Sequence, residues 1–178
     1  FWGQGLVHQL EKSIKELDGA TVFTYKVKNP NEFGILEYDA NKRVISIEEK
    51  PDKPKSSNAI TGLYFYDNDV VEIAEKIKPS QRGEIEITSI NKEYLNRKKL
   101  QFVQLGRGMA WLDTGTPASM LEASMFVETV EKIQGFKIAC LEEISWRKGW
   151  IDNSQLESLA NEYKKLNYGK YIFKLLDE

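Results

Sequence analysis

The fold is decided by residues 59–105, which read AITGLYFYDNDVVEIAEKIKPSQRGEIEITSINKEYLNRKKLQFVQL. This stretch begins with a β-rich run, Ala59 to Tyr66, and ends with another, Leu100 to Leu105. Between them, Asp69 can cap a first helix, and apolar residues at helical spacing from Ile87 to Leu95 predict a second one. A strand followed by helices and a further strand is typical of α/β proteins.

The residues before this stretch continue the alternation of helices and strands. Apolar residues recur at helical spacing from Leu6 to Leu17 and predict an amphipathic helix. Three β-type runs follow, at Ala20 to Val27, Gly34 to Tyr38 and Val44 to Glu48, and a hairpin loop at residues 39–42 is expected to join the last two.

The residues after the deciding stretch are mainly helical. Thr116-Pro117 is a good helix start, because proline at the first helical position loses no needed hydrogen bond, and Gly135 closes the helix. A short strand, Phe136 to Cys140, is predicted next. The remaining patterns predict helices at Glu142 to Lys148, Asn153 to Leu166 and Lys170 to Leu176. The expected fold is α/β with a helical C-terminal subdomain.

Composition excludes several classes of protein. The chain has 178 residues, of which 41% are hydrophobic and 29% charged, and this is typical of a globular domain. No apolar run approaches the roughly 20 residues that a membrane span needs. A net charge of -2 gives no global field for a polynucleotide, so no nucleic-acid partner is expected. One cysteine and one histidine exclude an internal disulfide and a His/Cys metal cluster, and a cytoplasmic setting fits.

Two polar clusters at predicted strand ends are candidates for ligand binding. In Glu48-Glu49-Lys50-Pro51, Glu49 could accept hydroxyl protons from a ligand while Lys50 neutralises phosphate. The alternative is a solvated charged turn. In residues 111–117, Asp113 lies between an apolar strand and a helix start, where one carboxylate can hold Mg²⁺ against phosphate. The alternative for Asp113 is a local turn or capping role.

Two glycine-flanked arginines are further candidates for anion binding. Arg82 precedes Gly83 at a helix start, which suits an anion but is equally common as plain capping. Arg107 lies between Gly106 and Gly108, in what could also be a tight connection between strands. The sequence contains no phosphate-binding glycine signature and no catalytic-triad signature. The residues alone therefore indicate an α/β fold with a crevice that suits phosphate and Mg²⁺.

Several motifs together resemble the glucose-1-phosphate thymidylyltransferase family in order and spacing. The resemblance runs from Trp2 to about the last helix and covers only the later part of that enzyme. The motifs that carry it are Phe33-Gly34-Ile35-Leu36-Glu37, Glu48-Glu49-Lys50-Pro51, Thr61-Gly62-Leu63-Tyr64-Phe65-Tyr66-Asp67, Arg82-Gly83-Glu84-Ile85-Glu86-Ile87-Thr88 and Ala110-Trp111-Leu112-Asp113-Thr114-Gly115-Thr116.

The resemblance implies a fold and a division of the chain. The fold is a Rossmann-like nucleotidyltransferase mixed sheet, incomplete at the N-terminus, with a C-terminal helical appendage like that of the longer, tetrameric branch of the family. Residues 1–135 would be the sugar-phosphate-binding part of the nucleotidyltransferase domain. Residues 136–178 would be a helical subdomain for oligomerisation and regulation, so a homo-oligomer, a tetramer in the intact protein, is expected.

The resemblance also implies an activity and its residues. The phosphate oxygen of glucose 1-phosphate attacks the α-phosphorus of dTTP, which releases pyrophosphate and leaves dTDP-glucose for rhamnose and other deoxysugar pathways. Asp113 resembles one of two aspartates that hold Mg²⁺, and Lys50 and Arg82 resemble contacts to the sugar phosphate. The glucose hydroxyl site corresponds to Glu49, the backbone of Gly34 and the Ile60 region, with Tyr64 as a pocket wall. Phe33 replaces a common tyrosine of the family.

A second nucleotide site in the family serves feedback inhibition by the pathway product. Gly3, Arg107, Glu143 and Arg147 match positions of that site, and Trp2 replaces a common tyrosine. The family's glycine-rich triphosphate loop, its base-recognition residues and the Gly-Asp-Asn with the other metal aspartate have no counterpart in this sequence. We therefore expect a fragment that is inactive alone, with sheet strands lacking neighbours and an exposed edge that favours association or instability.

Two other functions remain open at this point. One is a different sugar-1-phosphate nucleotidyltransferase that uses UTP or CTP, because the base-reading segment is missing from the sequence. The other is a non-catalytic module that binds sugar phosphate or supports assembly.

Overall fold

The computed structural model describes residues 1–80 and 82–177. They form two compact units, one from residue 1 to residue 111 and one from residue 112 onward. The sequence predicts a functional boundary between residues 135 and 136. That boundary is a different kind of division from these compact units, and it stays a prediction. Within the described ranges, no helix is both long and apolar enough to cross a membrane.

The first unit is built on one mixed sheet, as predicted. Its described strands have the order β3-β2-β4-β1-β5. β1 runs parallel to β5 and antiparallel to β4, while β2 is antiparallel to both β3 and β4. The strands are β1 Ala20–Lys26, β2 Gly34–Tyr38, β3 Val44–Glu49, β4 Asn58–Tyr66 and β5 Leu100–Gln104.

Helices cover both faces of this sheet because side chains alternate along each strand. Phe23 of β1 points to a cluster that includes Leu6 and Leu10 of α1. Ala20 points to the other face, where Ile73 of α2 and Tyr94 of α3 are buried. These helices are α1 Leu6–Lys15, α2 Asp69–Lys76 and α3 Ile87–Asn96, and a single 3₁₀ turn, Pro30–Glu32, precedes β2.

Strand β4 has an irregular register and a partly free edge. Val22 pairs with Tyr64 but Thr24 pairs with Ile60, so residues 61–63 lie opposite Phe23 alone. The Thr61 hydroxyl donates to the Phe23 carbonyl at 3.0 Å and ties this bulge to β1. On its other side β4 pairs with β2 only at Ala59, and within the described ranges no strand pairs with its later residues there. In the described ranges the second half of β4 therefore has an unpaired edge on this side, and the predicted association or instability stays a prediction.

The sheet curls so that the β2–β3 hairpin comes close to β5. The rings of Tyr38 and Phe102 stack with centroids 4.7 Å apart, and the Tyr38 hydroxyl donates to Gln104 at 3.4 Å. Bulges bend the strand that carries them, and this is consistent with the extra residues in β4. The curl encloses a core that contains Val22, Leu36, Ile47 and Ile60.

The second unit is helical, as predicted. Its helices are α4 Pro117–Gln134, α5 Leu141–Arg147, α6 Asn153–Glu162 and α7 Asn167–Leu175. α4 begins at the predicted cap: the Ser119 amide donates to the Thr116 hydroxyl at 3.1 Å, and the Thr116 amide donates to Ser119 at 3.0 Å. Gly135, with φ 75°, ends the helix. The last three helices share a core of Cys140, Leu156, Ala160, Ile172 and Leu175.

The predicted strand Phe136 to Cys140 is wrong. These residues form a turn in which Ala139 has φ 54°, a conformation that no strand contains. The Glu131 carboxylate accepts hydrogen bonds from the Lys137 ammonium and, at 2.9 Å, from the Ile138 amide. Burial alone would raise the pKa of Glu131, but these two bonds lower it overall. Cys140 is buried, and it packs among helices rather than in a sheet.

Four predicted helix ends are also wrong. Asp69 does not cap α2, because it is the first residue of the helix and Asn68 occupies the cap position; the Asp69 amide donates to the Asp67 carboxylate at 3.1 Å. α1 ends at Lys15 rather than Leu17. α6 ends at Glu162 rather than Leu166, and α7 begins at Asn167 rather than Lys170. The chain approaches itself closely here, because a Cβ on Gly169 in the first turn of α7 would lie 2.2 Å from the Tyr163 carbonyl oxygen.

Candidate functional site

A cleft of about 510 Å³ opens where β3 ends, beside the loop before α3. Its walls come from three parts of the first unit: the end of β3, residues 80 and 82–86 before α3, and α3 itself. Among its lining residues are Glu48, Glu49, Ser80, Arg82, Glu86 and Lys92. The structure therefore brings together Glu49 and Arg82, which the sequence predicted separately.

Glu49 is held in place by two neighbours. Its Oε2 accepts a hydrogen bond from the Thr88 hydroxyl, and its Oε1 lies 3.9 Å from Nη1 of Arg82. Gly34 is paired with Glu49 in the β2–β3 register. A Cβ on Gly34 would lie 3.0 Å from Oε2 of Glu49 and 3.2 Å from Oγ1 of Thr88. Glycine at this position therefore allows the carboxylate and the hydroxyl to meet.

Tyr64 lies beside the same carboxylate. Burial raises the pKa of Tyr64, and the negative charge of Glu49 raises that pKa further. The phenol therefore stays protonated and remains a hydrogen-bond donor at neutral pH. Its ring stacks on Tyr66, with centroids 5.9 Å apart. The predicted position of Tyr64 as a wall near the sugar site fits this geometry, although its role stays a prediction.

Arg82 is surrounded by carboxylates. Its guanidinium nitrogens lie 3.3 Å from Glu84 and 3.5 Å from Glu86, in addition to the contact with Glu49. The Ser80 hydroxyl donates to Glu86 at 2.7 Å, and the Gly83 amide donates to the Ser80 carbonyl at 2.9 Å. The loop therefore presents Arg82 as part of a charge network. The Arg82 side chain is 41% exposed, so solvent screens this network and leaves it open to exchange with a ligand.

Lys50 and Ile60 lie at the margin of this arrangement. The Lys50 amide donates to the Phe33 carbonyl at 3.0 Å, and its backbone has φ 40°, while its side chain is exposed. Ile60 is buried in the core next to the bulge of β4. Phe33, which replaces a common tyrosine of the family, packs its ring on Trp111 with centroids 5.1 Å apart. This contact does not need the tyrosine hydroxyl.

Sequence reasoning missed two residues at this cleft. Thr88 is the last residue of one of the motifs, and no pattern along the chain shows that its hydroxyl meets Glu49. Lys55 belongs to no motif of the sequence, yet its ammonium lies 2.9 Å from Glu48. That hydrogen bond raises the pKa of Lys55. The Thr88 contact depends on the packing of α3 against the end of β3, and the Lys55 contact depends on the path of the loop after β3.

Asp113 belongs to the second unit, where it is exposed in the turn before α4. A Cβ on Gly115 would lie 3.3 Å from its Oδ2, so the carboxylate folds over that glycine. It has no hydrogen bond or ion pair with any residue that the structure describes. Residues 1–80 and 82–177 contain no group of three or more residues that could hold a metal ion by themselves.

The residues of the predicted second nucleotide site are divided between the two units. Gly3 is next to the bridge between Trp2 and Ala110, and a Cβ there would lie 2.5 Å from the Met109 sulfur. Arg107 lines a cleft of about 430 Å³ with Lys26. In the second unit, Glu143 accepts hydrogen bonds from Nε of Arg147 at 2.8 Å and from the Tyr171 hydroxyl.

Comparison with known proteins identifies the class. Residues 3–130 match the family model described as Nucleotidyl transferase, and the chain belongs to that family. It is 53% identical over 176 residues to the glucose-1-phosphate thymidylyltransferase of Neisseria meningitidis serogroup A, covering 99% of this chain and 61% of that protein. It is 50% identical over 177 residues to the enzyme of the same name from Mycolicibacterium smegmatis, with the same coverage of each. The chain thus spans 61% of the length of these curated relatives.

Solved structures agree with this family. A Bacillus anthracis protein described as a glucose-1-phosphate thymidylyltransferase, in complex with a sucrose, superposes with TM-score 0.58 at 40% identity, over 67% of this chain and 47% of that one. UDP-glucose pyrophosphorylase complexed with UDP-glucose superposes with TM-score 0.60 at 23% identity, over 70% of this chain and 49% of that one. The second likeness shows the fold alone.

Proposed function

We propose that this chain is the sugar-phosphate-binding part of a cytoplasmic glucose-1-phosphate thymidylyltransferase, which makes dTDP-glucose and pyrophosphate from dTTP and glucose 1-phosphate. The observation that carries the proposal is the cleft in which Gly34, Glu49 and Arg82 meet. The names of the relatives at 53% and 50% identity support the choice of substrates.

The cleft suits a phosphorylated sugar for physical reasons. A carboxylate accepts hydrogen bonds from sugar hydroxyls, and Glu49 is pre-positioned for this by Thr88. Arg82 offers a planar cation for phosphate, and Lys50 contributes a mobile positive charge from an exposed side chain. Nucleotidyl transfer needs two polyanions held in line, so these charges act by positioning and by stabilising negative charge rather than by acid–base chemistry.

Asp113 fits part of a Mg²⁺ site. Its exposed carboxylate has no described hydrogen-bond partner, and Mg²⁺ prefers one or two carboxylates together with substrate phosphate oxygens and water. When bound, the metal would neutralise charge on the phosphates. Asp113 would supply one carboxylate ligand. We expect turnover to need, in addition, the residues of the relatives that this chain does not span.

The direct test uses the full chain as it is. Isothermal titration with glucose 1-phosphate measures binding, and a coupled assay measures pyrophosphate release with dTTP and Mg²⁺. We expect saturable binding and no turnover, with binding weakened in Glu49→Gln and unchanged in Glu11→Gln on the opposite face of the sheet. Absence of saturable binding would overturn the sugar-phosphate site, and dTTP-dependent pyrophosphate release by a homogeneous sample would overturn the expected inactivity.

Tests of the nucleotide preference and of Asp113 as a metal ligand need a longer protein. We would replace the matched 61% of the N. meningitidis enzyme with this chain and compare turnover of dTTP, UTP and CTP. We expect dTTP to be preferred and Asp113→Ala to abolish turnover without loss of glucose 1-phosphate binding. Preference for UTP or CTP would replace the substrate part of the proposal, and full activity of Asp113→Ala would remove that residue from it.

The second nucleotide site and the oligomer belong to the same proposal. The hydrogen bond from Arg147 to Glu143 fixes a cation that suits a nucleotide phosphate, and Gly3 and Arg107 complete the predicted set. In the chimeric enzyme we expect dTDP-sugar inhibition to weaken in Arg147→Ala, and light scattering to give a tetramer. Unchanged inhibition in that variant would exclude Arg147 from the site.

A further inference from the structure

A second cleft of the first unit lies away from the proposed sugar-phosphate site. It has a volume of about 720 Å³ and opens where the turn of the β2–β3 hairpin meets the end of α3 and the start of β5. Its floor is apolar and consists of Val44, Leu95, Leu100 and Phe102, which all pack against the core enclosed by the curled sheet. Its rim carries Lys42, Arg43 and Lys98.

The rim cations have no counter-charge in the described residues. None of the three has a carboxylate within 4.0 Å, whereas Arg97, next to Lys98, contacts both Glu93 and Asp69. The acidic side chain of the hairpin turn is Asp39, and its Oδ1 accepts the backbone amides of Asn41 and Arg43 at 2.8 Å. This carboxylate therefore organises the turn, and the three cations remain available to an external anion.

Two of the three cations occupy unusual backbone positions. Lys42 and Lys98 both have φ 59°, in the left-handed region that glycine or asparagine adopts at lower steric cost. Both side chains are exposed at the rim of the same cleft although they come from different elements. Lys98 follows the C-terminus of α3 and Lys42 lies in the hairpin turn, two places where this conformation is common, so the helix end and the turn account for it.

We propose that this cleft binds an amphiphilic anion, a small molecule with an apolar or aromatic body and at least one phosphate, sulfonate or carboxylate group. The body would lie on Val44, Leu95, Leu100 and Phe102, and the acidic group would contact the rim cations. A volume of about 720 Å³ is in the range of small-molecule sites, which are mostly apolar with a few convergent polar groups. The rim cations would complement the negative charge of the ligand, and the apolar floor would complement its apolar body.

The test uses two probes that differ by a single sulfonate. Fluorescence titration of the full chain with 1-anilinonaphthalene-8-sulfonate measures the amphiphilic anion, and N-phenyl-1-naphthylamine lacks the charge. We expect saturable binding of the sulfonate that saturating glucose 1-phosphate does not displace. In the double variant Lys42→Glu/Lys98→Glu, we expect sulfonate affinity to fall by about tenfold or more, while the neutral probe is unaffected.

The matched control makes the same change of net charge elsewhere. Lys15 and Lys78 are exposed and, in the described ranges, form no ion pair, so Lys15→Glu/Lys78→Glu should leave sulfonate affinity within about twofold of the unchanged chain. Thermal unfolding of each variant checks that the fold is intact. Equal sulfonate affinity in the two double variants, displacement by glucose 1-phosphate, or the lack of a saturable site would each overturn the proposal.

Discussion

The two clefts of the first unit differ in whether their charged side chains have partners within the protein. In the first, the carboxylates are already matched: Lys55 contacts Glu48, Thr88 donates to Glu49, and Ser80 donates to Glu86. In the second, Lys42, Arg43 and Lys98 have no described counter-charge. A site whose charges are satisfied internally selects a ligand by hydrogen-bond geometry, whereas unpaired cations select by charge and are sensitive to salt. The first cleft should therefore be sensitive to shape, and the second to charge.

The largest effect should come from breaking the shape of the first cleft at Gly34. In Gly34→Ala, the new methyl group would press on the Glu49 carboxylate and the Thr88 hydroxyl at 3.0 and 3.2 Å. Overpacking of this kind costs about 1–3 kcal/mol, so we expect glucose 1-phosphate affinity to fall by up to about 100-fold. Isothermal titration measures the loss, and the sulfonate probe should bind the second cleft as before.

The control for Gly34 is another glycine of the same sheet. A Cβ on Gly62 meets nothing within 4 Å, so Gly62→Ala adds the same methyl group without a clash. Its glucose 1-phosphate affinity should stay within about twofold of the original. Equal affinities of the two alanine variants would show that the close approach at Gly34 does not shape the site.

A smaller effect should come from removing one hydrogen bond in the first cleft. Thr88 is buried, and Thr88→Val keeps its shape but leaves the Glu49 carboxylate without its hydroxyl donor. The loss of such a bond costs about 1–2 kcal/mol, so we expect glucose 1-phosphate affinity to fall about tenfold. Thr88→Ser keeps the hydroxyl and should restore most of the affinity. If serine and valine weaken binding equally, the methyl group rather than the hydroxyl of Thr88 matters.

The mixed sheet was predictable because β1 to β5 each carry β-type runs between turn signals. The error at Phe136 to Cys140 has a physical cause: Cys140 is buried but Phe136 is exposed, and an apolar run shows neither which of its residues are buried nor by which elements. Here the burial comes from α6 and α7, through Leu156 and Ile172. The turn itself depends on Glu131, and its hydrogen bonds to Lys137 and Ile138 are not visible in any periodic pattern.

The first cleft was predictable in part and the second not at all. Glu49 and Arg82 lie at the end of a strand and before a helix, where a local pattern indicates ligand binding. Thr88 becomes part of the site only because the start of α3 is packed against the end of β3. The second cleft depends on the curl that brings Tyr38 to Phe102, and therefore Lys42 to Lys98. Such long-range geometry follows from register and bulges, which the sequence alone does not specify.

The smallest predicted effect concerns the electrostatics of the first cleft at Tyr64. Burial is the larger cause of its raised pKa and the Glu49 charge the smaller one, so Glu49→Gln should lower this pKa while leaving it above the usual tyrosine value. Because the folded pKa lies above the unfolded one, the related stability is fully present below the unfolded pKa. It is lost as pH rises through the folded pKa.

Absorbance of tyrosinate against pH measures this shift, and subtraction of Tyr64→Phe isolates Tyr64 from the other seven of the chain's eight tyrosines. Glu11→Gln, in α1 on the other face of the sheet, removes a carboxylate that does not approach Tyr64 and should leave its titration unchanged. An unchanged titration in Glu49→Gln would mean that burial alone sets this pKa. Glu49 would then act on a ligand only through its hydrogen bonds, and the first cleft would be sensitive to shape without a measurable contribution from its charge.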